Sequence, residues 1–128
     1  PLQRAVATAR AVSAAAGVAM IVDPRLNDRD YGPWTGRVKS EVEEQWGSVD
    51  LAPGVEPVET VLERAWPALE DSAAHHGVTV LITHDAVIRP LVTRVLGVAP
   101  LRDTQTAHWN ELRFVDGRWT VFGLDRGA

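Results

Sequence analysis

Apolar residues recur at helical spacing in four stretches, and four others read as strands. From 2 to 16, Leu2, Ala5, Val6, Ala9 and Val12 share a face and Gly17 follows, which predicts a helix over Leu2–Ala16. Val38, Val42 and Trp46 are spaced by four and predict a short helix. Val58, Val61, Leu62, Ala65, Leu69 and Ala73 predict a longer one over Val58–His76, kinked or split by Pro67. Val87, Leu91 and Val95, with Ile88, Val92 and Leu96, predict a helix over Ala86–Leu96, closed by Gly97.

Val18–Val22 is a short strand candidate ended by Asp23-Pro24. Val78–Thr83 is a near-continuous apolar run, the pattern of a strand buried on both faces. Trp109–Val115 and Arg118–Leu124 flank Asp116-Gly117, a tight hairpin signal. Strands that alternate with helices predict an α/β fold: one domain over 1–128, three layers α/β/α, with a mostly parallel sheet and a C-terminal antiparallel hairpin at its edge.

This order gives some polar residues a place. His84 and Asp85 fall between the 78–83 run and the helix after it, at the carboxyl end of a strand, where open α/β sheets hold ligands. The helix start there favours an anion. Two roles fit the pair: ligand contact, or N-cap and turn. Arg4, in a first helical turn one turn from Thr8, can reach a phosphate or be solvated. The loop from Arg25 to Gly36 is rich in Gly, Pro, Asn and Asp, and holds Tyr31 and Trp34. Asp28 and Asp30 in it are candidate acids or turn caps. Tyr31, Trp34 and Trp46 could line a pocket or pack the core. The Pro/Gly-rich stretch from Gly47 to Pro57 reads as a mobile cover. His75 and His76 suit a helix C-terminus better than a metal site.

Composition narrows the function. A chain of 128 residues with net charge −4 has no broad basic footprint for nucleic acid. The absence of cysteine excludes disulfides, zinc-thiolate sites and thiol nucleophiles. No apolar run approaches the ~20 residues of a membrane span, and no signal peptide is visible. A cytoplasmic location is expected. The hairpin edge would allow a homodimer.

Four segments in order resemble the histidine phosphatase superfamily, with its phosphoglycerate mutase-like fold. Pro1-Leu2-Gln3-Arg4-Ala5-Val6-Ala7-Thr8-Ala9 resembles that family's S-P-L-x-R-A-x-x-T-A helix. The loop from Leu26 to Gly36 resembles its L-x-E-x-x-x-G-x-x-x-G loop, Pro53-Gly54-Val55-Glu56 its P-G-G-E-S turn, and Thr83-His84-Asp85-Ala86-Val87-Ile88-Arg89 its S/T-H-x-x-x-I/N-R segment. The resemblance implies phosphoryl transfer without metal or cofactor. A histidine of an R-H-G motif becomes phosphohistidine and a carboxylic acid serves the leaving oxygen. Arginines and a second histidine hold the phosphoryl oxygens.

Carried over, Arg4 is a phosphate-binding arginine, His84 the second histidine of the phosphate pocket, and Asp28 the acid. Asp85 is an alternative acid, as in the acid-phosphatase branch. Three departures stand out. Asp28 replaces the usual Glu, Pro57 replaces the usual Ser, and no R-H-G occurs. The first strand and its nucleophile are expected upstream of Pro1, with this chain a fragment that is inactive alone and whose sheet lacks a central member. The expected activity is hydrolysis of a small phosphorylated metabolite. Alternatives are a phosphoglycerate mutase-type transferase and a non-catalytic phospho-ligand-binding module. A metal phosphohydrolase built on His84-Asp85 would need partners that His75, His76 and His108 have no evident reason to supply.

Overall fold

The computed structural model describes residues 2–100 and 102–127. Its helices are α1 (Gln3–Ala16), α2 (Lys39–Trp46), α3 (Val58–Ala73) and α4 (Asp85–Leu96). A hairpin of β1 (Trp109–Val115) and β2 (Arg118–Arg126) follows. Short 3-10 turns at Pro24–Leu26, Gly32–Trp34 and Val49–Leu51 punctuate the two long loops. No helix among the described residues is long and apolar enough to cross a membrane.

The core forms where two amphipathic helices meet. Val61, Ala65 and Leu69 of α3 pack with Val87 and Leu91 of α4, and Leu62, Trp66, Leu81, Leu112 and Trp119 close around them. Arg94 lays its guanidinium 4.0 Å from the Trp66 ring centroid, which covers apolar surface while the charge stays wet. This packing carries α3 through Pro67 as one helix, so the expected split does not occur. The helix stops at Ala73, short of His75 and His76.

The hairpin matches its turn signal. Asp116 and Gly117 both have positive φ (52° and 75°), the combination a type I′ turn demands. Leu112 pairs with Val121 and Phe114 with Trp119. A register shift around Glu111 brings Trp109 opposite Arg126, so β2 runs two residues past the expected Leu124.

The parallel sheet differs from expectation. The only sheet among the described residues is the two-stranded hairpin. The segments 18–22 and 78–83 form no strand and make no main-chain ladder bonds there. Several of their β-branched side chains are accordingly exposed, Ile21 at 87% and Val78 at 93%, while Ile82 and Thr83 are half-buried. A β-branched run records an appetite for burial between neighbours, and a strand forms only where another strand supplies the ladder.

The two long loops are zipped together. Glu56 N donates to Asp30 O (2.7 Å), Arg29 Nε to Glu56 O (2.7 Å) and Trp34 Nε1 to Pro53 O (2.9 Å). Arg29 also pairs with Asp50 at 2.6 Å. The 47–57 stretch is thus a tethered wall, where the sequence suggested a mobile cover. Trp34 meets Trp46 edge to face at 6.0 Å, so these rings pack against each other.

Gly32 and Gly54 permit this closeness. A Cβ on Gly32, at φ +55°, would fall inside the contact radius of Gly54 O; Gly36, at φ +78°, faces open space. Gly32→Ala should therefore cost about 3 kcal/mol or more, strain plus overlap. Gly36→Ala should cost only about 1 kcal/mol of backbone strain. Parallel thermal melts check the difference, and equal losses would contradict the close approach.

Candidate active site

Three elements bring together the residues singled out by sequence. Arg4 stands in the first turn of α1 and His84 is the N-cap of α4. Asp28 follows the 3-10 turn Pro24–Leu26. Arg4 Nη2 lies 3.4 Å from His84 Nδ1 and 3.5 Å from Asp28 Oδ2. Asp28 Oδ2 lies 3.6 Å from His84 Nδ1. The imidazole is nearly covered, its side chain 10% exposed, while that of Arg4 is 71% exposed. An arginine can only donate, so a hydrogen bond from Arg4 to Nδ1 requires the ring proton on Nε2.

The acid's orientation is fixed locally. Asp28 Oδ1 accepts from Arg29 N at 2.8 Å, an Asx-type bond that leaves Oδ2 facing Arg4 and His84. Thr83 Oγ1 donates to Leu26 O at 2.7 Å and ties the histidine's segment to the acid's loop. Val87 N and Ile88 N both donate to His84 O at 2.9 Å. This closes the first turn of α4 and aims the helix start at the same place, where it favours an anion.

Arg64 of α3 organises the loop from behind. Its guanidinium donates to the carbonyls of Arg25 (2.9 Å), Asn27 (2.8 Å) and Asp28 (3.0 Å), and grips both Glu56 oxygens at 2.8 and 3.0 Å. The second Glu56 oxygen also accepts from Asp30 N. Those Arg64 bonds, against some desolvation, hold the Glu56 carboxyl below its ordinary value. Neither residue's role is legible in the sequence. Glu56 appeared only within a turn motif, and a lone arginine on a helix's polar face carries no signal of three carbonyls 36 to 39 residues away. An open cleft of about 500 Å³ adjoins Asp28, walled by Asn27, Asp30, Glu56 and Arg64.

Asp85 turns elsewhere: its Oδ1 accepts from Thr104 N at 2.8 Å. His108 pairs with Asp125 at 2.9 Å, and neither His75 nor His76 joins His84.

Burial first, then the charge of Arg4, pushes the His84 imidazole below its ordinary 6.5, and the Asp28 carboxylate opposes the shift. Burial thus favours the neutral imidazole over the imidazolium. The unfolded chain takes up this proton first as pH falls. The stabilisation is complete above 6.5 and is lost as pH drops from there through the folded-state value. An NMR titration should place the His84 midpoint below 6.5, lower still in Asp28→Asn and higher in Arg4→Gln. A midpoint that ignores both substitutions would refute the proximity.

No curated protein matches the chain. A solved structure, the complex of a mycobacterial glucosyl-3-phosphoglycerate phosphatase with inorganic phosphate, is similar in fold. Its TM-score is 0.82 at 23% identity, covering 98% of this chain and 74% of that one. The family model of the histidine phosphatase superfamily (branch 1) matches residues 1–125, all three converging elements included. By that match over nearly its whole length, and with an α/β fold like that of the solved phosphatase, the chain belongs to the histidine phosphatase superfamily.

Proposed function

We propose that the protein is a phosphomonoester phosphatase working through a phosphohistidine, its nucleophile supplied by an R-H-G segment upstream of Pro1. The observation that carries this reading is the approach of Arg4, Asp28 and His84 to within 3.4–3.6 Å at the start of α4. Each group has a task. Arg4 presents a planar fork to two phosphoryl oxygens. Neutral His84 donates from Nε2 to a third, and the free N–H groups of α4 add to the field.

Asp28 gives a proton to the leaving alkoxide as the P–O bond breaks and the nitrogen–phosphorus bond forms. It then takes a proton from the water that attacks phosphohistidine, which returns the nucleophile and releases inorganic phosphate. The 47–57 loop beside the site is short and tethered to its neighbour, which favours hydrolysis over transfer to a second ester, since a transferase needs a longer cover to keep water from phosphohistidine. The parallel sheet expected from the sequence would bury Ile21 and Val78 and belongs to the same reading.

This reading assigns a small phosphorylated metabolite as substrate, with the cleft beside Asp28 to take its alcohol portion. The acceptors on its walls suit a hydroxyl-rich alcohol, and the substrate named for the structural neighbour, glucosyl-3-phosphoglycerate, is a reasonable first trial. The test is hydrolysis by the full-length protein, inhibited by vanadate and indifferent to chelator, with an acid-labile phosphoenzyme trapped on quenching. A folded full-length protein without turnover would overturn the reading. Activity lost to chelator would replace it with a metal hydrolase.

A further inference from the structure

We infer that Asp85 is a positioning residue that acts through His84, and that it is not a proton donor. The inference rests on the reading that His84 binds the phosphoryl group.

His84 and Asp85 are consecutive at the start of α4, and neighbours in a helical turn project in different directions. The structure shows the divergence. His84 meets Arg4 and Asp28, whereas Asp85 Oδ1 accepts from Thr104 N at 2.8 Å. Thr104 lies in the connection between α4 and β1, and that connection is held at several further points. Arg89 of α4 bonds Asp103 and the Pro100 carbonyl. Asn110 Nδ2 donates to Thr104 Oγ1 at 2.8 Å, and Asn110 Oδ1 accepts from Asp125 N at 3.0 Å. Asp125 Oδ1 accepts from Gln105 N at 2.9 Å and meets His108 Nδ1 at the same distance. A chain of hydrogen bonds therefore runs from the first residue of α4 through Thr104 and Asn110 into both strands of the hairpin.

Two residues in this junction, Ala107 (φ 63°) and Asp125 (φ 45°), hold left-handed backbone. Such conformations persist only where the surroundings over-determine them. The junction is thus a built brace, and Asp85 is where it grips α4. His84 N-caps that helix with its own carbonyl, so a shift of the first turn moves the imidazole directly.

The two roles make opposite demands. A proton donor must carry a transferable proton, whereas a brace needs only an acceptor. Asparagine keeps the acceptor and loses the proton. In the full-length protein, Asp85→Asn should keep kcat and KM within about fivefold, a neutral acceptor replacing a charged one. Asp85→Ala should raise KM and weaken inorganic phosphate binding by about 10–100-fold, the scale of a small misplacement. Its residual activity should depend on the leaving group as in the wild type. The His84 ring resonances should move in Asp85→Ala and stay in Asp85→Asn.

A loss in Asp85→Asn that grows as the leaving group worsens would overturn the inference in favour of an acid. So would an Asp85→Ala protein with unchanged His84 resonances and phosphate affinity. If the wild type binds phosphate without turning over an ester, the phosphatase reading fails. The resonance and phosphate titrations of the variants would still decide the role of Asp85.

Discussion

Asp28→Asn in the full-length protein should lower kcat on alkyl phosphomonoesters by about 10²–10⁴-fold, the usual contribution of a positioned general acid. The loss should depend on the leaving group. An alkoxide is a poor leaving group and needs the proton, whereas a nitrophenolate departs without one, so aryl esters should lose far less. The substitution is close to isosteric, and its Oδ1 can still accept from Arg29 N, the bond that orients Asp28 now. KM should not rise. Asp28 Oδ2 lies 3.5 Å from Arg4, and removing that carboxylate frees the arginine for the incoming phosphate. Steady-state kinetics on a series of esters of graded leaving-group strength checks this. A uniform loss across the series would mean that Asp28 serves phosphate binding or folding and leaves the acid elsewhere.

The same residue shows what kind of information a sequence carries. Asp28 could be singled out because its loop resembles a motif, and Arg4 and His84 likewise. Their mutual distances lay outside any local pattern. Helices were legible where one stripe of apolar residues faces one partner, as with Val61, Ala65 and Leu69 of α3. The hairpin was legible because Asp116-Gly117 encodes a backbone geometry in two residues. The segments 18–22 and 78–83 have the apolar composition of strands. A strand is a relation between two stretches of chain, and composition describes one. The partners of Asp85 and Arg64 were hidden for the same reason: Thr104 is 19 residues from Asp85, and the carbonyls gripped by Arg64 are farther still.

Arg64→Met should be among the most destabilising substitutions of an uncatalytic residue in this chain. It removes the partner of Glu56, whose side chain is only 14% exposed, and leaves the carbonyls of Arg25, Asn27 and Asp28 without their donor. Loss of one member of a buried ion pair costs about 3–5 kcal/mol, and partial exposure of Arg64 trims this to about 2–4. At about 4 °C per kcal/mol, the melting temperature should fall on the order of 10 °C. The pH dependence identifies the cause. Glu56 has a folded-state pKa below its ordinary 4.5, so its stabilisation is present above 4.5 and is lost as pH falls through the folded value. Arg64→Met should flatten that acid limb. Adding Glu56→Gln should recover part of the loss, since no charge is then left unpaired. The remainder measures what capping three carbonyls contributes. Full recovery would assign the whole effect to charge, and a melting temperature that hardly moves in Arg64→Met would show that the acid's loop stands without this brace.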